Sequence, residues 1–287
     1  ALHALVRRGQ LPGLAKLYPP HTLPDTKALS AEALAAIAAC DDDVLVWLKH
    51  PPQTNEVARS GVLYPGFMQI AADTELPLAL FEVGASAGLN MNPHLYAYDF
   101  DGNRYGDASS AVLIAPSWSG PAPGGIEPVI RTVRGCDRNP FDIRRDDHAE
   151  RLVSYVWPDQ PDRLARIEAA CEIARDHPPK IDASDAADWV DDMFREPGEP
   201  GLVRVLYHSI AFQYFPEETQ QRIARTMSGA GAAATVEAPV AWLSYELRES
   251  GRPELTLRLW GAGSVSNGRE RHLATGDAHV WELVWSG

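Results

Sequence analysis

Cysteine is scarce: three residues, Cys40, Cys136 and Cys171, lie far apart in a chain of 287. That spacing excludes a disulfide framework and matches no zinc pattern, so reduced thiols in the cytosol are expected. No apolar run approaches the ~18 residues of a membrane span. Basic residues are outnumbered 26 to 39, for a net charge of −13. Such a surface repels a phosphate backbone, and no local basic patch offsets it, so no nucleic-acid partner is expected. His272 and His279 have no third ligand at metal spacing, so no metal site is expected either. Internal repeats and low-complexity tracts are missing. What remains is an ordinary globular composition, 45% hydrophobic and 23% charged. At about 150 residues per domain, the length means one large domain or two small ones.

The hydrophobic pattern predicts helices first. Residues 28–50 are rich in alanine and leucine, with Ser30 as the expected cap. Residues 53–73 continue with an apolar helical stripe that Pro65 is expected to bend or break. The pattern changes at Leu78-Ala79-Leu80-Phe81-Glu82-Val83, a short continuous apolar run typical of a buried parallel strand. Residues 95–133 are expected to form hairpins and loops, ending in a strand at 129–133. Helices are predicted over 162–177, 184–195 (capped by Ser184) and 217–228, and strands at 180–182 and 202–207. The tail holds strand-like runs at 233–247, 255–260 and 279–285, the last two read as an antiparallel hairpin. Strands alternating with helices predict an α/β fold, a Rossmann-like three-layer sandwich with a mostly parallel sheet. The expected division is a helical lid over 1–77 and a Rossmann-like domain over 78–287, with a Tyr/Gly/Pro-rich insertion near 94–128.

The sharpest local signal follows the first strand: Glu82-Val83-Gly84-Ala85-Ser86-Ala87-Gly88. Small residues there let the backbone turn tightly and approach a ligand. The run is similar to the E-x-G-x-G-x-G turn of class I S-adenosylmethionine (SAM) methyltransferases, with Ser86 at the middle glycine. Further landmarks come in the matching order: Asp137 after the second strand, Asp182 and Asp185 after the third, and His208-Ser209 after the fourth. The same turn also spells G-x-S-x-G, the nucleophile elbow of α/β-hydrolases, with His208 or His279 as base. Against that stand the lack of an oxyanion segment upstream and the early Pro93. A small residue in a glycine's place explains Ser86 more simply.

Asn55, Glu56 and Arg59 lie at helical spacing and are weighed as a pocket wall against a solvated helix face. Asp159 and Gln160, in a run with two aromatics, are weighed as substrate contacts against a loop anchor. Tyr214 follows the fourth strand and joins the substrate candidates.

Together, QTNEVARS, EVGASAGLN, RGCDRNPFD, SYVWPDQPDRLARIEAA, YHSIAFQYFPEE and APVAWLSYE resemble a bacterial family known as domain of unknown function 2332, over nearly the whole chain. The resemblance implies a fold like that of SAM-dependent methyltransferases; chemistry does not follow from fold. The leading expectation is a SAM-dependent methyltransferase acting on a small polar substrate. Its cofactor residues are Glu82, Gly84, Ala85, Ser86, Gly88, Asp137, Asp182 and Asp185. His208, Glu56 and Arg59 are the catalytic candidates, and Asn55, Asp159, Gln160 and Tyr214 the substrate contacts. The alternatives are a non-catalytic nucleotide- or ligand-binding protein and a serine hydrolase using Ser86.

Overall fold

The computed structural model describes residues 1–21, 25–50, 52–263 and 268–287. The chain divides into two compact units, Ala1–Thr54 with Phe141–Glu172, and Asn55–Pro140 with Ile173–Gly287. This differs from a boundary at 77: residues 55–77 belong with the sheet, and 141–172 with the opening helices.

The first unit holds α1 (Leu2–Arg7), α2 (Pro12–Ala15), α3 (Thr26–Ala39) and α4 (Asp41–Leu48). Leu5, Leu11, Leu14 and Ala36 form its small core. The single helix expected over 28–50 is two helices. Asp25, not Ser30, caps the first by accepting a hydrogen bond from the Ala28 amide. The break falls at Cys40, whose backbone leaves the helical region, and Asp41, Asp42 and Asp43 place negative charge on the new N-terminus, where the helix dipole favours it.

The second unit begins with α5 (Ser60–Thr74), followed by β1 (Leu78–Val83), β2 (Ala97–Phe100), β3 (Asn103–Gly106), β4 (Leu113–Ile114), β5 (Ser117–Ser119) and β6 (Ile130–Asp137). After α6 (Asp146–Ser154), a first-unit helix, and α7 (Pro161–Asp176), the chain continues with β7 (Ile181–Ala183), α8 (Ala186–Phe194), β8 (Val203–Ser209) and α9 (Glu217–Ala232). It closes with β9 (Val240–Leu247), β10 (Pro253–Trp260), β11 (Arg271–Gly276) and β12 (Glu282–Trp285). Helix α5 runs through Pro65 without a break. Burying Leu63, Phe67 and Ile70 on the sheet outweighs the one backbone hydrogen bond that proline removes.

A nine-stranded sheet runs in the order β5-β12-β11-β10-β9-β8-β1-β6-β7, and a small sheet holds β3-β2-β4. The neighbours from β7 to β9 are parallel; β10, β11 and β12 follow antiparallel, and β5 lies parallel to β12. The expected closing hairpin is therefore a meander with one more strand. In β11 only Leu273 and Ala274 are apolar, too short a run to mark a strand in the sequence. Helices cover both faces, giving the Rossmann-like three-layer sandwich. On one face, Phe67 and Ile70 of α5 pack on Leu78, Leu80, Tyr207 and Tyr245. On the other, Trp189 of α8 and Ile223 and Met227 of α9 pack on Phe81, Val83, Leu206 and Trp242. Strand order reverses at β1, which has β6 on one side and β8 on the other. The crevice outside the carboxyl ends at such a reversal is where open α/β sheets bind ligands.

Candidate functional site

The turn after β1 carries positive φ at Gly84 (71°), Ser86 (56°) and Gly88 (71°). Parallel register sets Val83 opposite Cys136, so Asp137 stands beside this turn. The Asp137 carboxylate fastens it: Oδ2 accepts from the Ser86 amide at 2.9 Å and Oδ1 from the Asn139 amide at 2.8 Å. Beside it lies a hollow of about 190 Å³, walled by Gly84, Asp137, Ser184, Asp185, Tyr214 and Phe215 among others. Asp185, rather than the expected Ser184, caps α8 through the Ala187 amide at 2.9 Å. Its bond from Arg138, at 2.5 Å, leads the effects that hold its carboxyl below the usual range.

Other expected cofactor contacts lie elsewhere. Asp182 accepts from Arg134 at 2.6 Å and from the Trp189 indole at 2.8 Å, and does not wall the hollow. A Cβ on Gly84 would come within 2.6 Å of the Ala211 side chain, and one on Gly88 within 2.7 Å of Pro179. Ala85 and Ser86 are buried. The glycines therefore let neighbouring side chains approach the turn closely, and Gly84 also walls the hollow.

Glu82 ends the same strand as the turn but serves the opposite face. It is 2% exposed and accepts from the Tyr207 hydroxyl at 3.3 Å. Burial, against the pull of Tyr207 and the Arg59 charge, pushes its pKa up to about 8. The Asn55, Glu56 and Arg59 group belongs to this buried network. Arg59 donates to the Ser209 carbonyl at 2.9 Å and to the Ala278 carbonyl at 3.2 Å. Glu56 accepts from the Ala58 amide and contacts His279 Nδ1 at 3.2 Å. Asn55 accepts from the Leu89 amide, and Asn90 donates to the Glu56 carbonyl. These side chains clamp the segment after the glycine turn, and their burial rules out the solvated helix face weighed from the sequence.

His208, the expected general base, is 1% exposed and bonded at both ring nitrogens. Nδ1 meets Glu246 Oε1 at 2.7 Å, and Nε2 accepts from the Trp242 indole at 2.9 Å. Indole only donates, so the ring proton sits on Nδ1 and neither nitrogen is free for a substrate. Strand alternation explains the error in grouping it with Arg59. Residues 207 and 209 face α5, whereas 206 and 208 face α8 and α9. The Ser86 hydroxyl is buried with no hydrogen-bond partner, so no imidazole activates it among the described residues. Tyr214 is exposed at the mouth of the hollow. Asp159 and Gln160 belong to the first unit, where Gln160 Oε1 accepts from Arg163 at 2.5 Å. Sequence reasoning missed Glu246, Trp242 and Tyr207. The alternation Trp242, Ser244, Glu246, polar-capable residues on one face of a strand, was the signal for the first two.

Among the described residues, no helix is long and apolar enough to cross a membrane, and no group of His, Cys, Asp and Glu is placed to hold a metal. The fold and the crevice at β1 define an α/β protein of Rossmann-like architecture with a small hollow at the carboxyl ends of its first strands. The family model described as "Uncharacterized protein conserved in bacteria (DUF2332)" matches residues 1–285, and the chain belongs to that family. No curated protein matches it.

Proposed function

We propose that this protein binds a nucleoside-bearing small molecule in the hollow beside Asp137, with SAM the first ligand to try. The observation that carries the reading is an acid at the end of β6, at the strand-order reversal, walling a hollow of about 190 Å³. Each Asp137 oxygen accepts one backbone amide, and a carboxylate has about four acceptor sites in all, which leaves capacity for ribose hydroxyls. The hollow is small beside the ~300–1,000 Å³ of pockets that enclose a drug-sized ligand, and so suits the nucleoside end alone. Phe215 and Pro216 offer apolar wall to a base, and Asp185 and Ser184 offer polar atoms at its edge.

When bound, SAM supplies an electrophilic methyl group. Methyl transfer depends chiefly on in-line positioning, so a site without a free general base is compatible with it. A small polar methyl acceptor is the catalytic form of this proposal, and ligand binding without transfer is its simpler form.

Calorimetry with SAM, its demethylated product and adenosine tests the binding. Binding is expected to be lost in Asp137→Asn and in Thr219→Phe, which fills the hollow from α9 without touching the acid. If none of the three ligands binds, or if both variants bind as well as the parent, the reading is wrong. Labelled methyl transfer to a cell extract then separates enzyme from binding protein.

A further inference from the structure

The first unit leaves apolar helix surface uncovered. Ten of the fourteen residues of α3 are Ala, Leu or Ile, and of these only Ala36 is buried. Helix α4 carries Val44-Leu45-Val46-Trp47-Leu48, and none of these is buried. A helix that is apolar around most of its circumference normally lies inside a protein. Cys40 joins the two helices directly, as the C-cap of one and the N-cap of the other.

At about 3.6 residues per turn, α4 has two faces. The inner one carries Trp47, whose ring stands edge-on to Tyr155 at 6.1 Å, with the Arg151 guanidinium 6.0 Å from it. The opposite face carries Asp41, Leu45, Leu48 and Lys49, all exposed, the two leucines at 56% and 74%. An acid opens this face, leucines fill its middle and a lysine closes it. Among the described residues, neither Asp41 nor Lys49 forms an ion pair.

That order is self-complementary. Two copies of α4, antiparallel about a two-fold axis, set Asp41 of each beside Lys49 of the other and leucine against leucine. A closed symmetric dimer needs such a face, one whose pattern matches its own reverse. Leu34 and Ile37 of α3, 68% and 40% exposed, extend the apolar surface. With Leu45, Val46 and Leu48 they expose on the order of 500 Å², at the upper end of the ~300–600 Å² of a monomer's largest patch. The charged rim brings the face toward the ~800 Å² per partner of a stable interface. Lipid is a poorer occupant: Asp41, Asp42 and Asp43 edge the face and the chain carries a net charge of −13, so an anionic bilayer repels it.

We propose that two copies of this chain pair through this face, α4 against α4 in antiparallel, as a two-fold symmetric dimer. The inference concerns the first unit alone and does not depend on what the Asp137 hollow holds.

The test is sedimentation equilibrium on the full chain at low salt, up to about 100 μM. The mass is expected to be twice that of one chain, with a micromolar dissociation constant. Leu45→Gln combined with Leu48→Gln takes four leucines out of the paired faces and is expected to weaken pairing at least about a hundredfold. Asp41→Lys and Lys49→Glu each set like charges together and are each expected to weaken it about tenfold. Mixing those two variants restores opposite charges at both contacts, so the mixture is expected to pair as tightly as the parent. Circular dichroism checks that every variant keeps its helices. The proposal is overturned if the parent stays monomeric, if the double leucine variant pairs like the parent, or if the mixture pairs no better than either variant alone. A monomeric parent that co-sediments with neutral phosphatidylcholine vesicles would give the face to lipid instead, and overturn it too.

Discussion

The two faces of the sheet use the same strand ends in opposite ways. Toward α5, Glu82, Tyr207, Arg59 and Glu56 close into a sealed network that clamps the chain after the glycine turn. Toward α8 and α9, Asp137 borders an open hollow and keeps acceptor capacity to spare. Neighbours in sequence are thereby separated: residue 207 belongs to the sealed side and residue 208 to the other. A polar residue at a strand's carboxyl end is a ligand contact or a brace according to its parity and to what is packed above it.

Breaking the sealed side carries the largest expected effect. Arg59→Met strips two carbonyls of their donor and leaves buried acids without a cation. It should cost about 3–5 kcal/mol in urea unfolding; a loss under about 1 kcal/mol would show that the network carries little load.

Glu82 makes the same face sensitive to pH. Its carboxyl keeps a proton in the folded state up to about pH 8, against an ordinary value of 4.5. Between those values the unfolded chain releases that proton and the folded chain retains it. Wild-type stability therefore falls as pH rises through this window, by up to about 1.4 kcal/mol per unit. Glu82→Gln has no such proton to lose. Its stability relative to wild type should climb between about pH 5 and about pH 8, as urea midpoints measure; a constant difference would contradict the buried, protonated acid.

On the open face the effects are smaller. Trp242→Phe removes the indole donor to His208 Nε2 and should cost about 1–2 kcal/mol. Ser86→Gly relieves a left-handed backbone at a non-glycine residue and should raise stability by about 0.5–1 kcal/mol. With its hydroxyl lacking a base, wild-type Ser86 should also resist a fluorophosphonate probe, and labelling there would revive the hydrolase reading.

Much of the fold was legible in the residues. The apolar run Leu78–Val83, the small residues after it and the helix over 161–176 announce themselves by composition and period. The extra tail strand and helix α6 were not legible, the strand because its apolar run is only two residues long. The acids at 137 and 185 were found on the hollow, whereas 82 and 182 were not there, because order along the chain says nothing of which way a side chain leaves its strand.

Sequence alone determined the class of architecture, the place of the tight turn and the acid that stands beside it, since hydrophobic period and glycine content act locally. Only the tertiary structure decided which polar groups are spent inside the protein and which keep a free lone pair. That choice depends on the donors brought from distant segments, such as Trp242 to His208 and Arg59 to the Ser209 carbonyl, which no local pattern encodes.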